Sequence, residues 1–144
     1  MKEHGISLDI GDQIEHLGAI PTRQMMYAEA AKAHVGLALF SMDFREPMVG
    51  ASNKPFDYLA CGLALLVPDT PEWNELFVKE GCARSCDTED VESIAAALEW
   101  FSEHPKETRA MGERGRQLIR ERWNYESQFE PILSLVHNVT NKSG

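Results

Sequence analysis

Asn53-Lys54-Pro55-Phe56-Asp57-Tyr58-Leu59-Ala60-Cys61-Gly62 followed by Leu63-Ala64-Leu65-Leu66-Val67 reads as a helix, a stop and a buried strand. Pro55 suits the first helical turn, where its missing N–H costs no hydrogen bond. Gly62 is the residue type that ends a helix in the left-handed conformation. Leu63 to Val67 is an uninterrupted apolar run, as expected of a strand covered on both faces, and Pro68 closes it.

Moving outward, the alternation repeats. Val35 to Phe40 is a second apolar run and reads as the central strand. Before it, Pro21-Thr22 opens a helix that runs to about Ala33, with Met25, Met26, Ala30 and Ala33 on its buried side. Ile14 to Leu17 reads as a short strand ending at Gly18. On the other side, Thr70-Pro71 opens a helix to Lys79, Gly81 terminates it, and Cys82 to Cys86 reads as a fourth strand. The last third is helical from about residue 88. Thr88 is read as the cap of a helix striped by Val91, Ile94, Ala95, Leu98 and Phe101. Pro105 starts a helix to about Arg122. A last one starts near Tyr125, with Phe129, Ile132, Leu133 and Val136 as its stripe. The fold class predicted is α/β: a Rossmann-like parallel sheet of about four strands, helices on both faces and a helical C-terminus. Such sheets bind ligands at the carboxyl ends of their strands, which selects the loop Ser41 to Asn53.

The bulk composition narrows the ligand. Against 23 acidic residues stand 14 basic ones, a net charge of −9. Nucleic acid needs a basic footprint and is not an expected partner. A small anion needs only a few local donors, and a helix N-terminus supplies them. Cys61, Cys82 and Cys86 form neither a disulfide framework nor a metal-ligand spacing, so no metal site is expected and a reducing cytoplasm fits best. Met1 to Asp12 is too polar for a signal peptide. Arg109, Arg114, Arg116, Arg120 and Arg122 alternate with Glu107, Glu113 and Glu121, the pattern of a solvated helix face.

The start of the helix at Ser52 to Asp57 is where chemistry concentrates. Unpaired N–H groups of its first turn, with the helix dipole, favour an anion such as a diphosphate. Ser52 and Asn53 can add side-chain donors and Lys54 a charge. Asp57, one turn in, can accept hydrogen bonds from a ribose diol. The plainer alternative makes Ser52 or Asn53 an ordinary cap, Lys54 a solvated charge and Asp57 an acid reaching back to the helix start.

The segment from Asn53 to Val67 resembles the donor-site segment of group 1 glycosyltransferases of the GT-B fold, close to Lys-x-x-Glu-Tyr-x-Ala-x-Gly-x-Pro-Val-Val. Further pieces follow in family order. Ile14 to Pro21 resembles a strand-Gly-x-Val/Ile-Pro segment, and Ala28 to Leu39 a helix-then-strand stretch. Asp90 to Leu98, Met111-Gly112 and Trp123 resemble the C-terminal helices. The resemblance implies that residues 1–144 are part of a C-terminal, donor-binding domain, with a helical segment at about 88–139. It implies a nucleoside-diphosphate sugar as donor substrate, no further cofactor, and sugar transfer with retention. The acceptor would be a glycan or lipid-linked molecule held by an N-terminal domain, in a cytoplasmic enzyme of polysaccharide biosynthesis with peripheral membrane association. Carried over, Ser52, Asn53 and Lys54 cradle the diphosphate and Asp57 binds the ribose. The family's catalytic Arg and Lys fall upstream of Met1, which leaves Lys54 and Arg45 as the cations near the site. The 144 residues alone are expected to be inactive in transfer. Two departures stand out: Asp57 replaces the family's Glu, and Val49 occupies the position of a first Glu, with Glu46 nearby. The alternative function is a standalone, non-catalytic module that binds nucleotide or docks on a partner subunit.

Overall fold

The computed structural model describes residues 11–41, 43 and 47–140. Three parallel strands form the sheet in the order β1 (Val35–Leu37), β2 (Ala64–Pro68), β3 (Ala83–Cys86). Val35 sits opposite Ala64, and Leu65 opposite Ala83. Among the described residues the longer helices are α1 (Arg23–Ala30), α2 (Asn53–Cys61), α3, α4 (Val91–Glu103), α5 (Pro105–Glu121) and α6 (Tyr125–Thr140). Helix α3 is of α type over Pro71–Trp73 and of π type over Asn74–Val78.

β2 is the central strand and is buried throughout. Its alternation divides the core between the two faces. Leu65 and Val67 meet Leu59 of α2, Trp73 and Phe77 of α3 and Leu118 of α5. Ala64 and Leu66 meet Ala97 and Phe101 of α4 on the other face. The expected two-sided α/β architecture is therefore present.

Several expectations need correction. Ile14–Leu17 is not a strand: no described strand lies beside it to complete a ladder, and Glu15, His16 and Leu17 are exposed. The described sheet thus has three strands, not four. Val35–Phe40 is not central but an edge. Its strand stops at Leu37, which is 46 % exposed, with β2 its one neighbour among the described strands. Thr22 caps α1 as its position suggests, accepting from Met25 N at 3.2 Å. Yet α1 ends at Ala30 and buries none of its residues, and Met25 is 51 % exposed. Thr88 is not the cap of α4. Asp90 is, accepting from Glu92 N at 2.9 Å with a carboxylate that outcompetes a hydroxyl for the role. The buried face of α4 is also rotated: Ala97 and Phe101 are buried, whereas Val91, Ala95 and Leu98 are exposed. The stripe of α6 finds no cover among the described residues, with Phe129, Ile132, Leu133 and Val136 all exposed.

The arginines of α5 do more than face solvent. Arg116 Nη2 donates to Cys61 O at 2.6 Å, placing a cation on the last turn of α2, where carbonyls lack helical partners. Arg114 and Arg122 both pair with Glu80, at 3.3 and 2.8 Å. Beneath Arg116, Gly62 adopts φ +82° and its carbonyl faces Gly112 of α5. A Cβ on Gly112 would lie 2.0 Å from Gly62 O, and one on Gly115 would lie 2.3 Å from Leu59 Cδ2.

These contacts differ in what can yield. At Gly112 the obstacle is backbone, so Gly112→Ala should destabilise the fold by roughly 2 kcal/mol or more, an overpacking effect. Gly115→Ala meets the end of a leucine side chain and should cost less. Urea unfolding of both variants checks the ranking. In the core below, burial, with the Glu80 carboxylate adding, pushes the Cys82 thiol up to about 12. The thiol donates to Phe77 O at 3.2 Å. Because the unfolded thiol ionises near 9 and the folded one does not, this group's stabilising contribution is complete below that pH and declines toward about 12. Thermal midpoints should accordingly fall more steeply above pH 9 in the wild type than in Cys82→Ala.

Candidate functional site

The site is built at the N-terminus of α2, which follows β1 and the turns at residues 47–51. Ser52 is extended, with φ −83° and ψ 132°, and its Oγ accepts from Lys54 N at 3.4 Å. It is the helix cap. Pro55 in the first turn is buried against the core, as is Leu59. The helix is thereby anchored on one side and presents Asn53, Phe56, Asp57 and Ala60 on another, at i, i+3, i+4 and i+7. This face lines an open cleft of about 810 Å³. Across it stand Trp123, Tyr125 and Phe129, from the α5–α6 junction and the first turns of α6. Arg23 at the start of α1 and Arg122 also line it.

An aromatic cluster supports the cleft. Phe56 packs on Phe77 and Trp123 with centroids 5.6 and 5.9 Å apart, and Phe77 stacks on Trp73 at 5.5 Å. Trp73 in turn stacks on Phe40 beyond the end of β1 at 5.6 Å.

Asp57 is the fifth residue of α2 and does not reach back to the helix start. Its Oδ1 accepts from Arg23 Nη2 at 2.7 Å and from Tyr27 OH at 3.0 Å. Arg23 Nε donates to the same Tyr27 oxygen. Arg23 is 65 % exposed and the Asp57 side chain 22 %, so the ion pair sits at the cleft surface, where it contributes little to stability. The bond to Asp57, with Tyr27 beside it, raises the guanidinium of Arg23 above its already high ordinary value. Burial, with the Asp57 charge adding, raises the Tyr58 hydroxyl and the Cys61 thiol.

The four residues singled out from the sequence are close in the chain but divide in space. Asn53 and Asp57 share the cleft. Ser52 has its oxygen engaged as the cap. Lys54 places its Nζ 5.6 Å from the centroid of Phe40 and is not among the residues lining the cleft. Arg45 and Glu46 lie outside the described residues. Val49 packs against the core. Arg23 and Arg122 also bring positive charge to the cleft, from residues 34 positions before and 65 after Asp57. Arg122 is engaged by Glu80. Arg23 and Tyr27 went unrecognised although their i, i+4 spacing puts them on one face of α1. Nothing local shows that this face meets α2.

Three comparisons bear on this arrangement. Residues 3–134 match the family described as Glycosyl transferase-like. No curated protein matches the chain significantly. Among solved structures, sucrose-phosphate synthase from Thermosynechococcus elongatus is similar in fold, with a TM-score of 0.73 and 15 % sequence identity. The match covers 97 % of this chain and 33 % of that one, so the chain spans about a third of the length of the structure it resembles. The family match extends over most of the sequence and includes the segment from Asn53 to Val67. The chain belongs to the glycosyl transferase-like family and has the α/β fold of a group 1 glycosyltransferase domain.

Proposed function

We propose that this chain is the donor-binding part of a glycosyltransferase that moves a sugar from a nucleoside diphosphate to a glycan or glycoconjugate acceptor. The observation that carries the reading is the position of Asp57. It lies one turn into α2, beside Asn53 at the helix start, and both line the same cleft. An anion at the α2 N-terminus meets the positive end of the helix dipole. A ribose attached to that anion then falls within a turn of a carboxylate that can accept from its hydroxyls. Asn53 adds an amide donor. Lys54, whose Nζ lies over the Phe40 ring and outside the cleft, adds charge to the phosphate end only by swinging away from that ring. The aromatic side chains across the cleft offer flat apolar surface to a base. The transfer itself, with retention at the sugar, is assigned to the whole enzyme. Charge building on the departing phosphate requires cations aimed at it. The acceptor, glycan or lipid-linked, would be held by a further domain.

A second reading is a non-catalytic module that docks on a partner glycosyltransferase subunit. It is favoured by the exposed apolar side chains of α6, of which Leu135 is 64 % exposed.

Calorimetric titration with UDP, GDP and ADP tests the first reading. One of the three should bind, and Asp57→Ala should weaken it by about tenfold or more, the loss of hydrogen bonds to a charged group. No binding by any of them would remove the donor site. Binding unaffected by Asp57→Ala would remove Asp57 from it. The purified 144-residue chain should show no transfer from the sugar form of the bound nucleotide to any acceptor, and measured turnover would overturn that division of labour.

A further inference from the structure

α1 reaches the site through Arg23 and Tyr27. It buries no residue of its own, yet it brings Arg23 and Tyr27 onto Asp57. The three groups form a directed chain. Arg23 Nε donates to the Tyr27 oxygen, which leaves the Tyr27 hydroxyl hydrogen to be donated to Asp57 Oδ1. Arg23 Nη2 donates to that same oxygen at 2.7 Å. Oδ1 thus takes two donors, one of them the charged guanidinium. Among the described residues, no hydrogen bond is donated to Oδ2. The side chain keeps 22 % of its surface exposed, and Asp57 lines the cleft.

We propose that Arg23 and Tyr27 are positioning residues for the donor. They fix the Asp57 carboxylate through one oxygen, so that the other accepts from the ribose 2′-hydroxyl of a nucleoside diphosphate. This inference rests on the donor-binding reading. It also gives the shorter Asp57 a physical role. A carboxylate one methylene shorter than glutamate has less reach but fewer rotatable bonds, and a two-point hold on Oδ1 fixes where Oδ2 lies. Because the Arg23 end of the hold is exposed, removing it should change the geometry of Asp57 more than the stability of the fold.

The discriminating measurement is the preference for ribose over 2′-deoxyribose. Whichever of UDP, GDP and ADP binds tightest is titrated beside its 2′-deoxy counterpart, with thermal melting of each variant as the folding control. The wild type should favour the ribose form by about tenfold. Tyr27→Phe removes a single oxygen and should bring the ratio toward one by weakening the ribose form alone. Arg23→Gln should do the same, and Arg23→Lys should restore part of the preference. Equal weakening of both forms, or a lowered melting point with the ratio intact, would show Arg23 and Tyr27 to be only a clasp between α1 and α2 and overturn the inference. Absence of nucleotide binding by the wild type would overturn the donor reading itself, and this inference with it.

Discussion

The carbonyl of Gly62 meets Gly112 at a distance that admits no side chain, and the rest of the molecule is arranged around that contact. It sets how closely α5 lies over the end of α2. Because only Gly62 and Leu63 join α2 to β2, fixing its C-terminus fixes its tilt. Arg116 completes the anchor by satisfying the Cys61 carbonyl, and the left-handed turn at Gly62 starts β2 in register. The tightest backbone contact thus falls on one end of the helix. The other end is capped by Ser52 and seated on the core by Pro55.

The two faces of β2 are also used unequally. Toward α4 the packing is of modest side chains, Ala64, Leu66 and Ala97, completed by Phe101. Toward α2, α3 and α5 it is aromatic, running from Phe40 through Trp73 and Phe77 to Phe56 and Trp123. Rings of this size bury large apolar area with few rotatable bonds, so they give the cleft a stiff floor. The elements at its rim are held differently. α1 buries nothing, and α6 leaves most of its apolar stripe exposed. A rigid floor with lightly held edges suits a surface that must admit a ligand or meet another body.

The helix α2, its stop at Gly62 and the strand after it were legible in the sequence because each depends on neighbours in the chain. The proline in the first turn, the left-handed glycine and the apolar run are local devices. The fold class followed from their repetition. What misled were features that depend on distant partners. Val35–Phe40 is apolar enough for a central strand, but centrality is set by which strands pair with it. Val91 and Leu98 keep helical spacing, but α4 turns Ala97 and Phe101 inward, because small and flat side chains fit the groove over Ala64 and Leu66. At Thr88 a nearby residue with a better acceptor, Asp90, took the role.

The sequence by itself determined the α/β class, through its alternation of apolar runs and helical periods, and the place of the helix that lines the cleft, with Asn53 and Asp57 on one helical face. Only the tertiary structure decided what Asp57 touches. Its partners Arg23 and Tyr27 lie more than seven helical turns of chain away, on a helix whose apolar residues suggested a buried face elsewhere. Side-chain spacing reports which residues share a face. It carries no information on which face meets which, because that is settled by the packing of α2 between β1 and α5.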